Sequence, residues 1–258
     1  MKNKRKKLVI ISILTHGDES IGLHIKKELE KIKIDNGILE FIIGNEMASQ
    51  LNKRFIDQDL NRSFPGNSKG NHEQRIAAKL LPIIKSADLV IDIHSTTSDL
   101  KDALIITKLN KKTKEYIKVI NPKYLLWMRV TKDNALISNA KIGIAFEYGS
   151  DTSKVAIDNT VRDIKNLLVH LRVINLKNKE HKKLNKTRFF EVKKTVLKLP
   201  GYILSKKVKN YKLIRAGVIY ASSKEGFLKA KKDFTPILFG EKNYSDIFGF
   251  EGIERYNL

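Results

Sequence analysis

Leu8-Val9-Ile10-Ile11-Ser12-Ile13-Leu14-Thr15-His16-Gly17-Asp18-Glu19 decides the fold. Its first seven residues are almost continuously apolar, the pattern of a strand buried on both faces of a sheet. The run stops abruptly at a polar turn. Such a strand belongs to an α/β protein, where helices cover both sheet faces and functional residues collect at strand ends. The lysine-rich start, Met1 to Lys7, superficially resembles the head of a signal peptide. The apolar run is short and lacks a small-residue cleavage site, so a buried first strand is the better reading.

The same alternation continues outward. Ser20–Lys33 carries Ile21, Ile25, Leu29 and Ile32 at helical spacing. Ile38–Ile43 reads as a strand, and Gly44 to Gly70 as a long polar loop with room for a short helix. A helix over Glu73–Lys85 follows, then strands at Leu89–His94, Ala103–Thr107, Leu125–Val130 and Ile142–Glu147. Ser153 is placed to cap a long helix with Ile157, Val161, Ile164, Leu168 and Leu171 on one side. Beyond Asn175 the texture changes to a lysine-rich linker, Lys177–Lys186. Short strand-like pieces follow at Phe189–Leu197, Tyr211–Ile214, Val218–Ala221 and Pro236–Phe239. The expectation is a mixed sheet flanked by helices over residues 1–175 and a small β-rich C-terminal domain over 176–258.

The 258 residues contain no cysteine, which excludes disulfides and thiolate metal ligands and fits a reducing, cytoplasmic setting. No apolar run is long enough for a membrane helix. The formal net charge is +22, but it comes from forty lysines against ten arginines scattered along the chain. Phosphate-clamping surfaces lean on arginine with interleaved aromatics, so the charge reads as solvated lysine faces and nucleic acid is not the expected partner.

Three polar clusters close three apolar strands. His16 and Glu19, three apart in a turn, can aim an imidazole and a carboxylate at one point, and Gly17 would allow the turn. His94, in Asp92-Ile93-His94-Ser95, supplies a second imidazole, with Asp92 on the same strand face as an orienting group or a partner for a basic residue. Two His and one Glu with an open fourth position form a catalytic zinc arrangement. Glu147, in Phe146-Glu147-Tyr148-Gly149, is a carboxylate at an apolar strand end, suited to move a proton beside such a centre. Each cluster has a bland alternative: a polar turn, a hydrogen-bonded histidine, a solvated acid. Their shared position at strand ends favours function. His24, His72, His170 and His181 match no site position, and Trp127 and Met128 read as core.

With Arg54, Asp59-Leu60-Asn61-Arg62, Asp92-Ile93-His94-Ser95-Thr96-Thr97 and Glu147-Tyr148-Gly149, the chain resembles the succinylglutamate desuccinylase and aspartoacylase family. That family is a branch of the zinc carboxypeptidase-like hydrolases. Arg54 through Arg62 is the most specific stretch and is closest to aspartoacylase. The resemblance implies one Zn2+ per chain on His16, Glu19 and His94, with Glu147 as general base and Arg54 polarising the scissile carbonyl. It further implies Asn61 and Arg62 as the grip on a substrate carboxylate, Tyr244 as a substrate contact, and a C-terminal domain narrowing the entrance. The substrate class implied is a small carboxylate-bearing N-acyl amino acid. One position departs: where aspartoacylase has an arginine for the aspartate side chain, ten residues before the base, this chain has Ile137. Arg129, Lys132 and Lys141 are nearby cations. Two other readings stand beside the deacylase. One is a zinc carboxypeptidase on peptides, which an open groove would favour. The other is a basic nucleic-acid-binding protein on a vestigial hydrolase fold, which metal content would separate from both enzymes.

Overall fold

The computed structural model describes residues 5–96, 102–131, 133–175, 184–241 and 246–256. Twelve strands are present among them. The first six are β1 (Leu8–Ile13), β2 (Ile38–Ile43), β3 (Leu89–His94), β4 (Ala103–Ile106), β5 (Tyr124–Met128) and β6 (Gly143–Glu147). The others are β7 (Arg188–Leu197), β8 (Ile203–Leu204), β9 (Ile219–Ser223), β10 (Gly226–Lys229), β11 (Thr235–Ile237) and β12 (Ile247–Arg255). The helices are α1 (Ile21–Leu29), α2 (Glu46–Gln50), α3 (His72–Ser86), α4 (Lys111–Ile120) and α5 (Lys154–His170).

Nine strands form one mixed sheet in the order β11-β12-β7-β5-β4-β6-β3-β1-β2. β3 is parallel to both β1 and β6, with Ser12 opposite Asp92 and His94 opposite Glu147. That register is why three chain-distant polar clusters emerge at one sheet end. β4 runs antiparallel to β6. Every residue of β3 is buried, as a continuous apolar strand requires. One face packs on α1, α4 and α5 through Ile25, Ile117 and Ile164, with Val9, Ile11 and Ile91 beneath them. The other face packs on α3 and a 3-10 turn, Leu136–Asn139, through Ile84, Leu136, Ile10 and Val90. No helix among the described residues is long and apolar enough to cross a membrane.

Local chemistry sets the helix ends. The Ser153 hydroxyl accepts from the Ala156 amide at 3.2 Å, and Asn71 with Gln74 forms a reciprocal capping box on α3. α1 ends at Leu29, earlier than the apolar spacing suggests, although Ile32 still packs against the core. α4 has no counterpart among the sequence expectations. Its lysines mask a face on which only Thr113, Tyr116, Ile117 and Ile120 are buried.

After residue 183 the chain does two things. β7, β12 and β11 extend the main sheet, while β8, β9 and β10 form a separate antiparallel sheet. The strand expected at Tyr211–Ile214 is absent. Tyr211 takes a φ of 64°, which breaks an extended run, and only a single bridge, Ile214 to Phe234, remains. β12, by contrast, was hidden by its glycines. Gly249, at φ 148°, and Gly252 sit at shifts in the β12–β7 register, where a Cβ on Gly249 would meet Phe239 at 2.6 Å. The early part of the expected linker and His181 lie outside the described residues.

Glu191, buried on β7, ties this extension to the sheet. It accepts from Arg129 at 2.7 Å and from Arg255 Nε at 2.9 Å, with Lys193 at 3.2 Å. Burial alone would raise its pKa, but these hydrogen bonds outweigh it and hold the carboxyl at about 2. A lowered folded-state pKa stabilises the fold above the unfolded value near 4.5, and that stability fades as pH falls toward 2. Glu191→Gln should therefore lower stability by about 1–2 kcal/mol at neutral pH, the half-exposed partners keeping the figure low. The gap to wild type should shrink below pH 4 in denaturant titrations.

Candidate metal centre

His16 and Glu19 leave β1 in a tight turn closed by the Glu19 amide donating to the His16 carbonyl at 3.2 Å. Gly17 serves close approach rather than an unusual backbone angle. A Cβ there would lie 2.3 Å from the Ser49 amide nitrogen and 2.6 Å from the Lys53 carbonyl oxygen. The Gly17 amide also donates to the Arg54 carbonyl at 3.1 Å, so the turn is pressed onto the loop that presents Arg54.

The three residues meet. His16 Nδ1 and His94 Nδ1 are 3.2 Å apart, with Glu19 Oε1 2.8 Å from the first and Oε2 2.9 Å from the second. All three side chains are buried, and their ligand atoms lie within 4.8 Å of one another. Each imidazole is anchored through its other nitrogen: His16 Nε2–H donates to Asp59 Oδ1 at 3.1 Å and His94 Nε2–H to Asp92 Oδ2 at 2.8 Å. Anchoring Nε2 on a carboxylate leaves Nδ1 as the metal-facing atom. Thr15 holds Asp92 in turn, its hydroxyl donating to Oδ1 at 2.6 Å.

The charges reflect this packing. Burial works against the charged form of both imidazoles, yet Glu19 and Asp59 raise His16, and Asp92 with Glu19 raises His94 well above its ordinary value. Burial would likewise raise Glu19, but the two imidazoles hold it far below the carboxylate range. Two nitrogen donors and one carboxylate on a single point, with no sulfur, suit Zn2+.

Around this centre stand the other expected residues. Arg54 Nη1 donates to Glu19 Oε1 at 3.1 Å, and its Nη2 lies 3.5 Å from Asp59 Oδ2. The Asn61 Oδ1 accepts from the Leu136 amide at 3.0 Å, and Nδ2 lies 3.2 Å from His94 Nε2. Arg62 is exposed at the rim, one guanidinium nitrogen donating to the Asn61 carbonyl at 2.8 Å. Glu147, at the end of β6, faces the same cleft, and burial pushes its carboxyl up to about 7 against the pull of His94, with the Glu19 charge adding to the rise. Met128 lines the cleft as well as the core, whereas Trp127 packs beneath Arg129. His24 is exposed, His72 bonds Asn45 and His170 bonds Glu115, all outside the centre. Thr97, Lys132 and Tyr244 lie outside the described residues.

The family model for the succinylglutamate desuccinylase/aspartoacylase catalytic domain matches residues 5–171. The chain belongs to that family. A probable aspartoacylase of Acaryochloris marina is 27% identical over a match covering 65% of this chain and 63% of that relative, so under two thirds of the relative is spanned. An N-acyl-aromatic-L-amino acid amidohydrolase of Xenopus tropicalis is 28% identical over 36% of this chain and 35% of its own. Among solved structures, murine aminoacylase 3 superposes with a TM-score of 0.76 at 16% identity, covering 98% of this chain and 97% of that one. The ectoine utilization protein EutE (DoeB) from Ruegeria pomeroyi gives 0.73 at 19% identity over 98% and 87%. At these identities the structures establish the shared fold.

Two supports of the centre escape a sequence reading. Asp59 was visible as part of a motif but not as the anchor of His16. Glu73, fully buried at the start of α3, was visible only as a helix-start acid. Its Oε1 accepts from Asn45 Nδ2 at 2.8 Å and from the Ile56 amide at 2.7 Å; Oε2 accepts from the Asp57 and Gln58 amides at 3.0 and 3.2 Å. One carboxylate thus holds the loop between Arg54 and Asp59. Glu73→Ala should leave the buried Asn45 amide and three part-buried backbone donors unpaired, costing about 1–3 kcal/mol and loosening the Arg54 loop. Glu73→Gln, which still accepts, should retain more stability in thermal unfolding.

Gly17→Ala should strain the turn by roughly 1–3 kcal/mol, the usual cost of overpacking. It should also weaken metal uptake by the His16–Glu19–His94 cluster, read by calorimetric titration with added zinc.

Proposed function

We propose that this protein is a zinc-dependent amidohydrolase that cleaves the amide bond of a small N-acyl amino acid. The observation that carries the reading is one cleft holding the His16–Glu19–His94 donor set, the Arg54 guanidinium and a Glu147 carboxyl raised to about 7. Family membership supports it.

His16, Glu19 and His94 would hold the metal. Bound there, Zn2+ would supply Lewis-acid polarisation and lower the pKa of water. The chain's own residues supply the rest. Glu147 accepts a proton from the attacking water as the new C–O bond forms. It then delivers that proton to the nitrogen as the C–N bond breaks, leaving a carboxylic acid and an amine that exchange a proton to become carboxylate and ammonium. Arg54 offers N–H donors to the developing oxyanion. Arg62 and the Asn61 amide, its oxygen already engaged by Leu136, turn donors toward a substrate carboxylate and fix the amide relative to Glu147.

The same proposal assigns residues 1–175 to the hydrolytic domain and 176–258 to a C-terminal unit that narrows the entrance, with Tyr244 as a further substrate contact. Leu238 and Phe250 in the cleft lining support that division of labour. They also argue against the carboxypeptidase reading, because a peptide needs an open groove. The setting is proposed to be cytoplasmic, and no role is assigned to nucleic acid.

The test is metal analysis of the purified protein with amine release from N-acyl amino acids. About one zinc per chain, lost in His94→Ala, is expected. Glu147→Ala should keep the zinc and lose about 10²–10⁴-fold in kcat, the range of general acid–base catalysis. Failure to bind zinc when it is supplied, or full activity in Glu147→Ala, would sink the reading.

A further inference from the structure

We infer that Asp151 is a positioning residue of the metal centre, because its one carboxylate joins the chain segments that carry Glu19, His94 and Glu147. The inference rests on the metal-binding part of the proposed function and not on the choice of substrate.

α1 begins two residues after Glu19, and its start has no local cap. Ser20, at φ −81° and ψ −9°, is already helical, and its side chain makes no capping hydrogen bond. The first turn carries no acid either. A helix start leaves backbone N–H groups without intrahelical partners and favours negative charge. Asp151 supplies an acceptor and that charge from 130 residues along the chain: its Oδ1 accepts from the Ile21 amide at 2.9 Å.

The other oxygen, Oδ2, accepts from the Ser95 hydroxyl at 3.1 Å. Ser95 directly follows His94, and its backbone amide donates to Glu19 Oε2 at 3.2 Å. That same Oε2 lies 2.9 Å from His94 Nδ1. Asp59 and Asp92 orient the two imidazoles; the Asp151–Ser95 link bears on the third donor, Glu19.

Asp151 itself sits four residues after Glu147. His94 pairs with Glu147 in the sheet register, and just beyond them the Thr96 amide donates to the Gly149 carbonyl at 2.9 Å. The Ser153 amide donates to the Ser150 carbonyl at 3.0 Å, and the Ser153 hydroxyl caps α5. The turn that presents Asp151 is therefore fixed on both sides of it.

The experiment measures the Zn2+ affinity of the full-length protein by competition with a chromophoric chelator, with the melting temperature of each variant recorded before zinc is added. Asp151→Ala should bind zinc about tenfold more weakly, the lower end of what losing an outer partner of a metal ligand costs. Asn110→Ala removes the cap of α4, where the Asn110 side chain accepts from the Thr113 amide at 3.0 Å, and no residue of the centre lies on that helix. It should lower the melting temperature and leave zinc affinity unchanged. Ser95→Ala, which keeps the α1 cap, should weaken zinc binding in the same direction as Asp151→Ala and covers the case in which that variant does not fold. Wild-type affinity in folded Asp151→Ala, or in Ser95→Ala should Asp151→Ala not fold, would overturn the inference and leave the metal centre intact. An equal loss of affinity in Asn110→Ala would overturn it too, by making the effect one of general stability. No zinc binding by the wild-type protein would overturn the inference and the metal reading together.

Discussion

The pairing of each imidazole Nε2 with a buried or half-buried carboxylate is the constraint on which the centre depends. Asp59 and Asp92 take those protons at 3.1 and 2.8 Å, and both Nδ1 atoms then face Glu19. Neither ring can turn without leaving a carboxylate uncompensated in a buried site. Such an arrangement costs desolvation, and it stays only where the surrounding fold holds every partner in place.

Two parts of the fold do the holding. The parallel register of β1, β3 and β6 puts His16, His94 and Glu147 at the same sheet end, and the buried aliphatic strands leave no freedom to slip, because a one-residue shift would reverse every side chain. The long polar loop after β2 is fixed differently. Glu73 gathers three successive backbone amides, and Gly17 lets the β1 turn sit directly on residues 48–54. Arg54, Asp59 and Asn61 are thus as well anchored as residues on a strand, although no periodic pattern marks their segment.

The C-terminal strands bear on the cleft as well as on the fold. β12 and the residue after β11 bring Phe250 and Leu238 into the cleft lining. With Ile137 and Met128 they add hydrocarbon to a lining that also carries Arg54, Asp59, Arg62 and Asp92.

Much of this was legible in the residues themselves. The strand at Leu8, the Ser153-capped helix and the α/β class followed from apolar periodicity, because burial imposes that periodicity directly. His16, Glu19, His94 and Glu147 were candidates by residue type and position at strand ends, and Arg54, Asn61 and Arg62 by resemblance; the structure gathers them around one cleft. α4 and β12 were not, since lysines and glycines disguised their patterns, and Tyr211 turned where its apolar neighbours suggested a strand. Sequence by itself determined the strands and helices that carry these residues. Only the tertiary structure decided which nitrogen of each histidine faces the centre, that Glu73 clamps the arginine loop, and that Leu238, Phe250 and Ile137 line one cleft. Those contacts join residues far apart in the chain, and sheet register, not local spacing, sets the distances between them.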